Sequence, residues 1–459
     1  MDNSKKTELF ESTKISKAVT TLIMPTILSS LVMIIYNLAD TYFVGMLNNP
    51  IENAGVTLAA PVLLAFNAIN NLFGVGSSSM MSRALGIKDY ETVRRSSAFG
   101  FYCSLICGIV FSVSCTAFKA PLLTLLGATE DTAAATGGYM LWTVTCGAVP
   151  AILNVVMAYL VRAEGSALHA SIGTMSGCAL NIVLDPIFIL PWGLNMGAAG
   201  AGLATFISNC VACIYFLVLI FIKRKSTYVC IKPSEFKPTK KIISGVCGVG
   251  IPASIQNLLN VTGMTVLNNF MSGYGSDAVA AMGIAHKTSM IPMYIAMGIS
   301  QGVMPLVGYN YSSRNIKRMK DTVVYAAKLS LIFISVTTFL YCIFAGPLVR
   351  LFMDNETIVS YGAVFMRGLS LAQPFLCMDF LAVGVFQACG MGKRSLIFAF
   401  MRKIILEIPA LFILNALIPM YGLAYAQLAA EFILAIAAIV FLVRIFNDLK
   451  NENPTESRQ

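Results

Sequence analysis

Long apolar runs separated by short polar stretches recur along nearly the whole chain. Each run has the length a helix needs to cross a bilayer, about 20 residues. Twelve spans are predicted, at residues 17–46, 54–86, 95–118, 132–162, 168–190, 198–222, 242–271, 278–309, 321–346, 357–388, 395–418 and 422–446. In lipid the backbone polar groups of such a run must be satisfied within the segment itself, so the runs are read as helices. The stretches between them are short, and the longest, from Lys223 to Lys241, has no room for a soluble domain. The expected fold class is therefore an all-α membrane protein of twelve transmembrane helices, with all function in the bundle.

Composition supports that reading. Apolar residues occupy 57% of 459 positions and charged residues only 12%, against about a quarter charged in a soluble chain. The N-terminal stretch MDNSKKTELFESTKISKAVTT has no short apolar core followed by a small-residue cleavage site, so the first span is expected to be retained. The twelve cysteines lie almost all within apolar runs, where a thiol acts as a small hydrophobe. Cys210 and Cys213 have metal or redox spacing but no second pair, and packing is the simpler reading.

Charge sets the orientation. With alternate loops assigned to one side, 25 of the 32 basic residues fall there, in groups such as Lys5, Lys6, Lys14 and Lys17, or Arg314, Lys317, Arg318 and Lys320. The opposite loops hold only Lys119 and Arg350, together with Glu52, Glu130, Asp131, Asp277, Asp354 and Glu356. By the positive-inside rule both termini are cytoplasmic, in a multi-pass protein of the cell membrane. The net charge of +10 is then a topology signal, and no nucleic-acid partner is expected.

The two halves repeat at a separation near 225 residues. Ala120–Glu130 (APLLTLLGATE) matches Gly346–Glu356 (GPLVRLFMDNE), Val161–Gly165 (VRAEG) matches Phe386–Gly390 (FQACG), and Pro25 and Pro186 pair with Pro252 and Pro409. Six spans per half place both halves in the same sense, about an axis along the membrane normal, with a central cavity expected between two lobes. The segments read as a cytoplasmic stretch 1–16, a first lobe 17–222, a basic linker 223–241, a second lobe 242–446 and a cytoplasmic tail 447–459. No GxxxxGK[ST] loop is present, so an ion gradient rather than ATP is the expected energy source.

Acids at membrane depth are costly unless paired or wet, and so point to function. Asp40, in NLADTYFVG, lies roughly 12 Å below the outer end of its helix; Asp185, in NIVLDP, lies roughly 9 Å deep. Asn181 is one turn from Asp185 on the same face, and Thr205 approaches from the next span at about 12–15 Å. These four oxygen-bearing side chains suit a shared proton, since burial and a second carboxylate both favour protonation. They equally suit sodium, the candidate metal here, as a hard cation bound by oxygen. A plainer reading of Asp185 is that it merely opens a proline kink, Asp-Pro being a common breaker pair. At the repeat spacing Asp40 and Asp185 fall on Leu267 and Ile408, so the second lobe lacks these acids. It has its own set in Lys287, Asp379, Arg402, Lys403, Glu407 and Glu431. Asp379 and Glu407 either bind ion or substrate or pair with Lys287 or Arg402.

The segments NLADTYFVG, NIVLDP and MGAAGAGLAT, with the matched halves, resemble the multidrug and toxic compound extrusion (MATE) family over essentially the whole chain, in its MepA-like or DinF-like branch. The resemblance implies export of amphipathic, often cationic compounds by proton or sodium antiport through alternating access. It also implies a first-lobe cation site at Asp40, Asn181, Asp185 and Thr205 with Tyr36 nearby, bending of the first helix near Pro25, and an ion or substrate role for Asp379. Asn260 stands where a second-lobe Glu occurs in some members, which argues against a second-lobe cation site. No cofactor and no obligate protein partner are implied; the partners are small molecules and membrane lipids. A lipid-linked saccharide flippase of related architecture is the alternative, and it needs a basic cavity for which Lys287 and Arg402 are the candidates. A membrane enzyme is a poor reading, because His169 and His286 lie in no catalytic frame.

Overall fold

The computed structural model describes residues 3–452; Arg458 and most of the expected tail 447–459 lie outside the described residues. These form helices and turns with no strand. Helix α1 (Asn3–Glu11) precedes α2 (Ile15–Gly45), α3 (Pro50–Gly86), α4 (Tyr90–Ala117), the short α5 (Lys119–Leu125), α6 (Glu130–Cys146), α7 (Ala148–Ala163), α8 (Ala167–Ile189) and α9 (Gly197–Ile222). The second half is α10 (Lys240–Ser272), α11 (Ser276–Ser312), α12 (Ile316–Arg350), α13 (Glu356–Ala388), α14 (Gly392–Phe400), α15 (Ile408–Leu417) and α16 (Gly422–Glu452).

Ten helices are individually long and apolar enough to cross a bilayer among the described residues, and α6 with α7 makes an eleventh. The expected single helix over 132–162 is in fact bent by 51° at Gly147. A π turn over Leu141–Cys146 precedes the bend, a usual cause of kinks. A Cβ at Gly147 would lie only 2.6 Å from the Thr143 carbonyl oxygen. The twelfth run is α14, a π turn (Met401–Glu407) and α15, helical throughout but carrying Lys393, Arg394, Arg402, Lys403 and Glu407.

The repeat extends to the turns. Left-handed backbone recurs at equivalent places: Asn48 and Gly275, Lys88 and Arg314, Gly165 and Gly390, Asn195 and Met420. The caps repeat too. Asp89 accepts from Thr92 N at 3.0 Å to start α4, and Asn315 accepts from Arg318 N at 3.0 Å to start α12. The Thr92 hydroxyl, at 2.6 Å, holds the Asp89 carboxyl below the usual carboxylate range, helped by Lys241.

By packing, the chain divides into two compact units, Met1–Ser12 with Leu28–Ser254, and Thr13–Ile27 with Ile255–Gln459. Each half therefore takes the first part of the other half's leading helix, and the chain changes unit just after Pro25 and just after Pro252. Hydroxyls near these prolines fix the exchanged segments. In the second unit Thr26 Oγ1 donates to Gly298 O at 2.8 Å, and in the first Ser254 Oγ donates to Ala68 O at 2.6 Å. A proline removes one backbone donor and leaves a carbonyl free one turn earlier. Despite Pro25, α2 is continuous.

In the first unit the glycines opening α9 let backbones meet closely, as small residues do between membrane helices. A Cβ at Gly200 would stand 2.5 Å from Phe188 O, and one at Gly202 would stand 2.8 Å from Tyr139 O. Glu52 of α3 completes this corner, accepting from Ala198 N at 2.6 Å in the first turn of α9. Glu52→Ala should therefore cost about 1 kcal/mol by loss of a charged helix cap. A thermal unfolding scan of the detergent-purified protein checks this; an unchanged midpoint would mean the contact contributes nothing.

Candidate cation-coupling site

The site lies within the first unit, where α2, α6, α8 and α9 each supply side chains. The close α8–α9 packing sets Asn181 against Thr205, with Nδ2 and Oγ1 at 3.3 Å. In the alternative amide orientation, which satisfies both ends, Asn181 Nδ2 donates to Asp185 Oδ2 at 2.8 Å and its oxygen accepts from Thr205 N at 3.1 Å. That orientation is the chemically sensible one, because the amide then bridges a carboxylate and a backbone donor. Asn181 and Asp185 are fully buried.

α2 brings Tyr36 and Asp40 to the same place, one turn apart. The Tyr36 hydroxyl is within hydrogen-bonding reach of Thr205 and lies in the field of both Asp40 and Asp185. Asp40 and Asp185 also act on each other. Asp40 Oδ1 is buried and has no hydrogen-bond partner among the described residues. Among the described residues no basic group stands with the groups that act on either acid. The helix of Asp185 runs on through Pro186 to Ile189.

Tyr139 of α6 was not legible as a site residue. It is buried and stands within the field of Asp40, Tyr36 and Asp185. Nothing in the sequence separates it from the other sixteen tyrosines. Its place depends on the close approach of Gly202 to its backbone and on the π turn that follows it.

The second unit is arranged differently. Arg402 Nη1 donates to Asp379 Oδ2 at 2.9 Å, its Nη2 donates to Asn260 Oδ1, and its Nε lies 3.9 Å from Glu431 Oε1. Lys403 donates to both oxygens of Glu407, at 2.7 and 2.6 Å. Asp379, left open between ion binding and pairing, is thus fastened to a built-in cation, and Glu407 pairs with Lys403 rather than with Lys287 or Arg402. Among the described residues the first-unit site holds Asp40 and Asp185 with no basic side chain in an ion pair with either, whereas the second unit holds Asp379 and Glu407 beside an arginine and a lysine.

The profile of the MatE family matches the chain twice, over residues 25–187 and 252–413, each match opening on a repeat-related proline. The chain is 33% identical over 443 residues to the multidrug export protein MepA of Staphylococcus haemolyticus, covering 96% of each protein. It is also 33% identical over 439 residues to MepA of Staphylococcus aureus, covering 95% of each. Among solved structures it matches an outward-facing conformation of a multidrug resistance MATE family transporter of the MOP superfamily. That match has a TM-score of 0.92 and 26% identity, and it covers 97% of this chain and 99% of the other.

Proposed function

This chain belongs to the MatE family, and on that premise we propose that it exports amphipathic, often cationic compounds by antiport with protons or sodium ions. The cycle is alternating access between its two lobes in the cell inner membrane, with both termini cytoplasmic. One observation carries the coupling assignment: Asp40 and Asp185 interact within one unit, and among the described residues no basic group stands with them. Two carboxylates cannot both remain charged and unneutralised in a low-dielectric interior. A mobile cation must neutralise them, whether a proton shared by the pair or a sodium ion held with the Asn181 and Thr205 oxygens. Release of that cation restores the repulsion, and this makes the empty site unfavourable until a cationic substrate or a new ion arrives. Tyr36, touching Thr205 and facing both acids, positions the oxygens and links any bend of α2 near Pro25 to the site.

The flippase alternative needs exposed basic groups for a pyrophosphate. Arg402 is buried and held by Asp379 and Asn260, which leaves Lys287 alone and favours export.

The deciding measurement is efflux of an ethidium-like dye from proteoliposomes under separately imposed proton and sodium gradients. Transport driven by either gradient supports antiport, and transport indifferent to both refutes it. In the same assay Asp185→Asn should reduce the ion-driven rate severely while leaving a residue of activity, because Asp40 remains. An unchanged ion dependence would return Asp185 to a purely structural role.

A further inference from the structure

Glu431 sits on α16 with no exposed surface, and neither of its carboxyl oxygens has a hydrogen-bond partner among the described residues. The elements packed against α16 are α12, α13, the π turn and α15. Of these, α13 presents Asp379, the π turn presents Arg402, Lys403 and Glu407, and α15 carries no charged residue. The charges of α12 (Lys317, Arg318, Lys320, Asp321, Lys328 and Arg350) are not among the groups acting most strongly on Glu431. Lys403 is taken up at short range by Glu407. Two carboxyl groups therefore share one guanidinium, and Arg402 is committed to Asp379 at 2.9 Å while 3.9 Å separates its Nε from Glu431 Oε1. That Nε is itself buried without an acceptor. An ionised carboxylate with no donor on either oxygen is the costliest state this pocket can hold.

We propose that Glu431 is a proton-binding site of the second unit, neutral while Arg402 pairs with Asp379 and ionised when the guanidinium turns to it. Closing the Nε–Oε1 gap by about 1 Å would make a charge-assisted hydrogen bond. The carboxyl proton then leaves to water, and Asp379 takes a proton in its place or meets a new cation. The ligand is a proton rather than sodium. A metal ion here would sit against the positive guanidinium, and the Asn260 oxygen that might bind it is already used. The inference concerns only the second unit and does not rest on the coupling role of Asp40 and Asp185.

The test is infrared spectroscopy of the full-length protein in lipid near neutral pH, reading the carbonyl band of a buried protonated carboxyl. Wild type minus Glu431→Gln should show the loss of one such band. Asp379→Asn should lose the same band, because the freed guanidinium then ionises Glu431; if Glu431→Gln fails to fold, Glu431→Asp takes its place and should shift the band rather than leave it unchanged. The band should persist in Asp40→Asn/Asp185→Asn, which separates it from any proton on the first-unit acids. An unchanged spectrum in Glu431→Gln, or survival of the band in Asp379→Asn, would overturn the proposal.

Discussion

Asp40→Asn is expected to reduce gradient-driven efflux to the leak of protein-free liposomes, with membrane insertion and abundance unchanged. Asparagine has almost the shape of aspartate, so the packing of α2 around position 40 has little reason to change. What disappears is the ability to carry a charge and then lose it. Among the described residues Asp40 Oδ1 is buried without a donor and no basic group stands with it, so its charge has no structural use for the variant to lose. Its removal also relieves the repulsion on Asp185, which stays buried and held by Asn181, and the site can no longer pass between its two charge states. An antiporter so arrested binds substrate but does not couple its release to ion entry. The variant should therefore still bind dye, as measured by fluorescence polarisation, while its transport ceases to respond to pH or sodium. Wild-type transport over a range of both would remove the assignment at its root.

The helices and their order were legible because lipid imposes a simple demand: long apolar segments with every backbone group satisfied within the helix. The same demand made Asp40 and Asp185 conspicuous, since nothing about a lipid-facing helix accounts for a carboxylate there. Spacing along two helices was enough to set Asn181 near Asp185 and to bring Thr205 to similar depth. Three features were not legible. The bend at Gly147 depends on a π turn, which leaves no hydrophobic signature. The exchange of segments after Pro25 and Pro252 is a matter of which neighbours a helix packs on; hydropathy reports that a face is apolar and not what covers it. The pairing of Arg402 with Asp379 rather than Glu431 is a choice between two acids of similar depth, decided by side-chain reach. Tyr139 combines these limits, because its place in the site follows from the α6 π turn and the close approach of Gly202.

The largest loss of stability is expected not in the bundle but at α1, where breaking one ion pair should cost about 3–5 kcal/mol. Lys6 and Glu164 are almost wholly buried, with Lys6 Nζ 2.7 Å from Glu164 Oε1. The pair is well furnished. Lys6 Nζ also donates to Ser226 O at 2.9 Å and lies over the Tyr228 ring. Glu164 also accepts from Ser166 Oγ at 3.2 Å, Thr227 Oγ1 at 2.9 Å and Tyr228 N at 2.7 Å. One carboxylate thus ties α1, the turn after α7 and the segment after α9 into a single corner, and Phe10 packs against Gly165 beside it. Glu164→Ala would leave a buried ammonium with one carbonyl and a ring for company, and would strip acceptors from Thr227 and Tyr228. Lys6→Met would leave a buried carboxylate with three donors and no cation, a smaller penalty of the same kind. The double variant Lys6→Met/Glu164→Leu should cost clearly less than the two single changes added together, because neither charge is then left alone. Thermal unfolding of the purified protein measures all three. Single variants within about 1 kcal/mol of wild type, the range of an exposed pair, would show that burial of this pair contributes no more than a surface contact.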